Sequence, residues 1–204
     1  KKPWRDLPPL EGVVETEFIR PVLLGESVLP FRIAATFETV IPRDREGLMD
    51  GQSDRLDAFE GLASWWRRAE AIWEVNRSSE RLTLIDQLNY HNKLEHQFPL
   101  QPDRIVYNAS GMHLVASRLK DRRAVIEHGL YWATAASTAE AQYLCAILNS
   151  VTFTELVRPF MSYGKDERHF DKHIWQLPVP LYDPRSDLHS RLAARGAELE
   201  AAIG

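Results

Sequence analysis

The sequence predicts an α+β protein, and three observations carry that prediction. Residues 104–132 hold three short extended runs, Arg104–Asn108, Met112–Leu119 and Arg123–Trp132, separated by the turn signals Ser110-Gly111 and Lys120-Asp121-Arg122. Residues 53–76 and 140–160 instead repeat apolar side chains at the three- and four-residue spacing of a helix face. The strand runs lead directly into the second of these helical segments, so three antiparallel strands feed a helix pair.

Taken in order, Lys1–Leu10 reads as a linker, with Pro3, Pro8 and Pro9 and no periodicity. This abrupt beginning suits a piece of a longer protein. Residues 13–24 are apolar enough to dock, and Gly25 is a plausible stop. Phe31, Ile33, Ala35, Phe37 and Thr39 alternate, which predicts a strand over residues 31–41. After a polar loop, Ser53 is placed to cap a long helix running to about Asn76. Phe59, Leu62, Trp66, Ala69 and Trp73 form its apolar seam, while Arg67, Arg68 and Arg77 fall largely on other faces. Ser78 or Ser79 caps a second helix to about His96, with Leu82, Leu84, Ile85 and Leu88 on its apolar side. The two would make a long helical hairpin.

Past the strands, Ser137 and Thr138 offer N-cap chemistry for a helix with Ala141, Leu144, Cys145 and Leu148 on one face. Asn149 and Ser150 interrupt it, and Phe153, Leu156, Val157 and Phe160 continue the spacing in a short helix ended by Pro159. A polar loop, Gly164–His173, follows. Pro178 and Pro180 keep the exit, Trp175–Tyr182, out of any central strand. A terminal helix starts at Asp183 or Ser186, with apolar positions at Leu188, Leu192, Leu199 and Ile203.

Composition bounds the function. The chain has 204 residues, 44% apolar and 26% charged, as in ordinary globular proteins. Its longest apolar runs fall far below the ~18 residues of a membrane span, and no signal-peptide pattern opens it, so cytoplasm is the default compartment. Cys145 is alone, which excludes a disulfide framework and a cysteine metal site within the chain, and it reads as a core residue. His169 and His173 share an i, i+4 spacing but lack a third ligand, so they read as surface histidines. The net charge of −4 does not by itself suggest nucleic acid. Any DNA footprint must come from a local cluster or be shared with other protein.

The order helix, Leu148-Asn149-Ser150, helix, glycine-and-basic loop, Leu177-Pro178-Val179-Pro180 resembles the target-recognition domains of restriction–modification proteins. It is similar to the C-terminal specificity region of adenine-specific DNA methyltransferases and, more distantly, to type I specificity subunits. Tyr143, Leu144, Ile147, Gly164, Arg168 and Lys172 carry the likeness too. Ile105-Val106-Tyr107-Asn108 with Ser110-Gly111 looks like the family's first hairpin, and Glu17–Leu23 like its lead-in. The resemblance implies an antiparallel, partly closed sheet core with packed helices. Residues 1–30 would be the linker, 31–182 the recognition domain with a helical insertion at about 53–97, and 183–204 a connecting helix. It implies double-stranded DNA as partner, and an N-terminal methyltransferase domain in the parent chain that uses S-adenosylmethionine. No cofactor is expected in this chain, because both the glycine-rich turn and the Asn/Asp-Pro-Pro-Tyr/Phe motif are missing.

The expected DNA contacts are Lys165, Arg168, His169 and Lys172 in the loop, and Arg122 and Arg123 at the strand turn. Asn89, Asn92 and Lys93 at a helix end join them. Arginine can read guanine bidentately and asparagine adenine, while lysine meets phosphate as a point charge. Asp166, Glu167 and Asp171 nearly cancel the loop's cations, so a merely solvated loop is the plain alternative; for the asparagines it is helix-end capping. At the level of function, the alternative is a scaffolding domain that docks another subunit through its tryptophan-lined helix. A self-standing enzyme without a recognisable motif is a third reading. The missing motifs lead to a direct expectation: calorimetry of the chain with S-adenosylmethionine should show no saturable binding, and micromolar binding would contradict it.

Overall fold

The structure, a computed structural model, describes residues 3–163 and 168–203. Its strands are β1 (Ile19–Leu23), β2 (Val28–Leu29), β3 (Arg32–Ile33), β4 (Phe37–Val40) and β5 (Arg104–Asn108), then β6 (Ala116–Leu119), β7 (Val125–Ile126), β8 (Leu130–Thr134), β9 (Ser162–Tyr163) and β10 (Arg168–His169). Its α-helices are α1 (Glu60–Asn76), α2 (Leu84–Leu88), α3 (Thr138–Leu148), α4 (Val151–Val157) and α5 (Asp187–Ile203). The fold class is α+β, and the sheets are open rather than partly closed as expected. Contacts divide the chain into a first unit, residues 1–21 and 38–98, and a second, 22–37 and 99–204. The segment 53–97 thus lies in the first unit and the helix from 187 in the second.

In the first unit, Phe18, Met49, Leu56, Leu62, Ala63 and Trp66 form the core, as the α1 seam predicts. The helix itself starts later than Ser53 suggests. Residues Asp54–Ala58 form a 3₁₀ turn, and the Ser53 side chain makes no cap bond. The amides at the start of α1 are met from far away: Gly61 N and Leu62 N donate to the Glu15 carboxylate at 3.0 and 2.8 Å. A carboxylate there also faces the positive end of the helix dipole. Gly61 permits the approach, since a Cβ would lie 2.7 Å from the Val13 carbonyl.

The second arm of the expected hairpin is short. Thr83 and Asp86 form a reciprocal capping box, so α2 starts there rather than at Ser78 or Ser79. Beyond Leu88, His91 (φ 54) and Asn92 (φ 58) are left-handed. A helix running on to His96 cannot pass two such residues, and only 3₁₀ turns follow.

In the second unit β5 is central, paired antiparallel with β6 and β8. The expected third strand is split. Its first part, β7, runs parallel to β1 through Val22↔Val125, and its second part, β8, returns to the other edge of β5. The expected strand 31–41 is likewise broken into β3 and β4. Ser137 caps α3 as read, accepting from Glu140 N at 3.1 Å, and Ser150, read only as an interruption, caps α4 by accepting from Phe153 N at 3.1 Å. Between those helices, the Asn149 side chain acts as a piece of backbone. Its Oδ1 accepts from Ala116 N (2.9 Å), and its Nδ2 donates to Ala116 O (2.8 Å), which closes the outer edge of β6.

Tyr107, Cys145, Leu148, Phe153 and Val157 meet in one core with Phe170 and Ile174. Leu144 and Trp132 are only half-buried, and Leu156 and Phe160 face solvent. The buried face of α5 also departs from expectation. It is Ala193, Gly196 and Glu200, while Leu188 is 61% exposed. Small residues let α5 approach α3 so closely that a Cβ on Gly196 would lie 2.3 Å from the Gln142 carbonyl.

Two substitutions test this packing. Leu148→Ala should cost roughly 2–5 kcal/mol in denaturant unfolding, and a change below about 0.5 kcal/mol would misplace the α3 face. Gly196→Ala should destabilise by about 1–3 kcal/mol although alanine favours helix, and a net stabilisation would mean that α5 does not approach α3 this closely.

Candidate nucleic-acid interface

The hairpin of β5 and β6 has two ends, and the expected contacts of the second unit divide between them. At one end the turn Lys120-Asp121-Arg122-Arg123 is exposed throughout. The Arg123 amide donates to Asp121 Oδ1 at 2.7 Å, which fixes the turn from within. Arg104 lies beneath it, fully buried, and its Nη2 donates to the carbonyls of Asp121 (3.1 Å) and Ala124 (2.8 Å). Its Nε and Nη1 have no hydrogen-bond partner among the described residues. Burial pulls the Arg104 pKa down to about 10, with Asp121 opposing the shift. The guanidinium is therefore still charged at neutral pH and adds to the positive potential of the turn.

Beside the turn, Arg118 and Lys120 converge on one carboxylate of α5. Arg118 Nη2 and Nε reach Glu200 at 2.8 and 3.3 Å, Lys120 Nζ at 2.6 Å and Gln142 Nε2 at 3.3 Å. Burial pushes the Glu200 pKa up, but the bonds from Arg118, Lys120 and Gln142 outweigh it and hold the group below the ordinary carboxylate range.

At the other end, Asn108 organises the loop to His113. Its Nδ2 donates to Ser110 O (2.8 Å) and His113 O (3.0 Å), and its Oδ1 accepts from Val115 N (2.8 Å). Gly111 takes φ 143 there, a conformation that side chains resist. The glycine-and-basic segment abuts this loop. Its described parts form the β9–β10 ladder, Ser110 bridges His169, and Phe170 N donates to Ala109 O at 2.9 Å. Phe170 and Ile174 anchor it in the core, and Trp175 Nε1 donates to the Tyr107 hydroxyl at 2.9 Å.

The expected contacts can now be placed. Lys165 lies outside the described residues, as do the side chains of Arg168 and Lys172. His169 is half-buried within the ladder. Arg122 and Arg123 do not join this cluster, because β5 separates the two ends by four residue steps, about 13 Å. Asn89, Asn92 and Lys93 belong to the first unit. Asn89 is committed to its own turn: Oδ1 accepts from Glu95 N (3.0 Å), and Nδ2 donates to Asn92 Oδ1 (3.2 Å). That is the helix-end role weighed for it. Sequence reasoning missed Arg104, Arg118, Lys120 and Glu200. The density of cations in 118–123 pointed toward Arg118 and Lys120, and nothing in the sequence pointed toward Arg104 or Glu200.

Burial pushes the Cys145 thiol up to about 12, with Glu200 adding and Arg118 opposing, so it carries no thiolate at neutral pH. Among the described residues no three His, Cys, Asp or Glu side chains gather as a metal site.

The Glu200 cluster makes a pH-dependent prediction. A depressed carboxylate pKa contributes stability that is present above the unfolded value, near 4.3, and is lost as pH falls through the lower folded value. Glu200→Gln should therefore lower the urea midpoint at pH 7, and the gap to wild type should close as pH drops below about 4. A gap independent of pH would show that the Glu200 charge does not contribute.

No family model matches the chain, and no curated protein matches it.

Proposed function

We propose that this chain recognises double-stranded DNA in sequence-specific fashion, as the target-recognition part of a restriction–modification adenine methyltransferase. The observation that carries the reading is the turn Lys120–Arg123: three cations in four exposed residues, set on a buried arginine. Such a projecting cationic turn suits phosphate contact even in a chain of net charge −4, because duplex DNA presents dense phosphate charge to whatever local patch faces it. Phosphate contacts supply affinity and register, and base-edge contacts supply specificity. On this reading Arg168 of β10, beyond the far end of β5, reads bases while Lys172 after it meets phosphate, and contact points at the two ends of β5 fix the duplex in register. The parent's catalytic domain, using S-adenosylmethionine, then flips and methylates the adenine.

A second reading is favoured by one feature of the first unit. Trp4 stacks on Trp73 at 5.2 Å, and with Trp65, Ile72, Leu84 and Leu88 these rings line an apolar cavity of about 420 Å³. A subunit-docking role would use this face. Residues 4–10 of the chain already cover part of it, with Trp65 Nε1 donating to Leu10 O at 3.3 Å.

Salt titrations separate the two. Losing one phosphate contact lowers the slope of log K against log salt by about one. Arg122→Ala and Arg123→Ala should each do so, weakening cognate and random duplexes alike. Unchanged affinity and slope in both variants would remove the turn from the DNA interface.

A further inference from the structure

Next to the cationic turn, the second unit contains a cavity of about 290 Å³ between β3 and the end of β6. Its polar lining is Arg32, Thr36, Arg118, Lys120, Asp121 and Glu200, with Ser117 behind them. Arg32, Arg118 and Lys120 share the site with Asp121 and Glu200, and Asp103 stands 3.9 Å from Arg118 Nη1, so Glu200 and Asp103 hold Arg118 while Arg32 stands away from them. The donors are already arranged around an oxyanion. Arg118 takes both Glu200 oxygens in its planar fork, and Lys120 approaches one of them from the exposed side. Lys120 is 63% exposed, and the ammonium has three donors. Arg32 stands on the opposite wall, exposed, with Nη1 donating to the Ile203 carbonyl at a long 3.4 Å. The backbone that presents it is unusual. Phe31 holds φ 62, an outlier for a bulky residue, and is fixed there by its amide donating to Ala116 O at 3.0 Å. Phe31 is the second residue of the two-residue turn between β2 and β3, where positive φ is required, and that turn sets where Arg32 enters β3.

We propose that this cavity binds a phosphate group, with Arg32 and Lys120 as its direct ligands and Glu200 holding Arg118 in place behind them. A tetrahedral dianion or phosphodiester suits the site better than a second carboxylate, because its oxygens can bridge walls that the planar Glu200 carboxylate touches on one side only. Thr36 adds a hydroxyl donor to the same space. The phosphate has two possible sources, the DNA backbone or a free phosphate. The first rests on the DNA reading above and extends the footprint of the Lys120–Arg123 turn; the second does not depend on it.

The test uses the 204-residue chain, with Lys120→Gln and Arg32→Gln, both exposed positions; because Lys120→Gln also loses its ion pair with Glu200, urea unfolding first establishes that this variant is folded. Inorganic phosphate is titrated calorimetrically at ionic strength held constant with chloride, and a mixed-sequence duplex is titrated at several salt concentrations. Losing one charged hydrogen bond should weaken phosphate binding about tenfold or more in each variant. If the phosphate comes from DNA, each variant should also lower the duplex salt slope by about one. Weakened phosphate binding with unaltered duplex binding supports the site with free phosphate as its source. Phosphate binding by a chain that binds no duplex supports the site and overturns the DNA reading. Absence of saturable phosphate binding, together with unchanged duplex slopes in both variants, overturns the site while leaving the DNA reading in place.

Discussion

The contact of Gly196 with the Gln142 carbonyl sets the geometry of the second unit. Without a side chain at Gly196, α5 settles onto the backbone of α3, and one turn later Glu200 enters the space beside β6. Gln142, the residue under that contact, donates to Glu200 as well. One close approach between two helices therefore determines where a nearly buried carboxylate sits. That carboxylate in turn orients Arg118 and Lys120 at the root of the cationic turn. Breaking such a cluster by removing one partner leaves the remaining charge without compensation, which is costlier than never having formed it.

Part of this fold was legible because it is local. Ser137 caps its own helix three residues downstream, and the β5 run is bounded by its own turn residues, so a short window of sequence contains the whole interaction. What was not legible is nonlocal. The start of α1 is decided by Glu15, more than 40 residues away, which no reading of Ser53 reveals. The break after α2 rests on left-handed His91 and Asn92, and neither residue type demands that conformation. The terminal helix misled for a different reason. Its leucines mark an apolar stripe, but the face that packs is small, because close backbone approach gains more there than large side chains would.

The candidate site shows the same division. Arg122 and Arg123 could be read as a cationic turn, and the structure leaves them exposed as one. Their separation from the β9–β10 segment could not be read, because it follows from β5 joining β6 and β8 at its two edges. Arg104 was hidden by composition: an arginine at the head of an apolar run looks like a strand boundary, yet it is the buried charge beneath the turn. Net charge was a poor guide in both directions. The chain is acidic overall, but charge acts over about 8–10 Å at physiological salt, so the local excess at 118–123 matters more than the sum.

Amide hydrogen exchange of the chain with and without a mixed-sequence duplex tests the account most directly, since it reports where a partner lies without altering any residue. The account predicts slowed exchange in residues 120–124 and no change along α1. Slowing along the tryptophan face of α1 alone, or no slowing anywhere at saturating duplex, would contradict it.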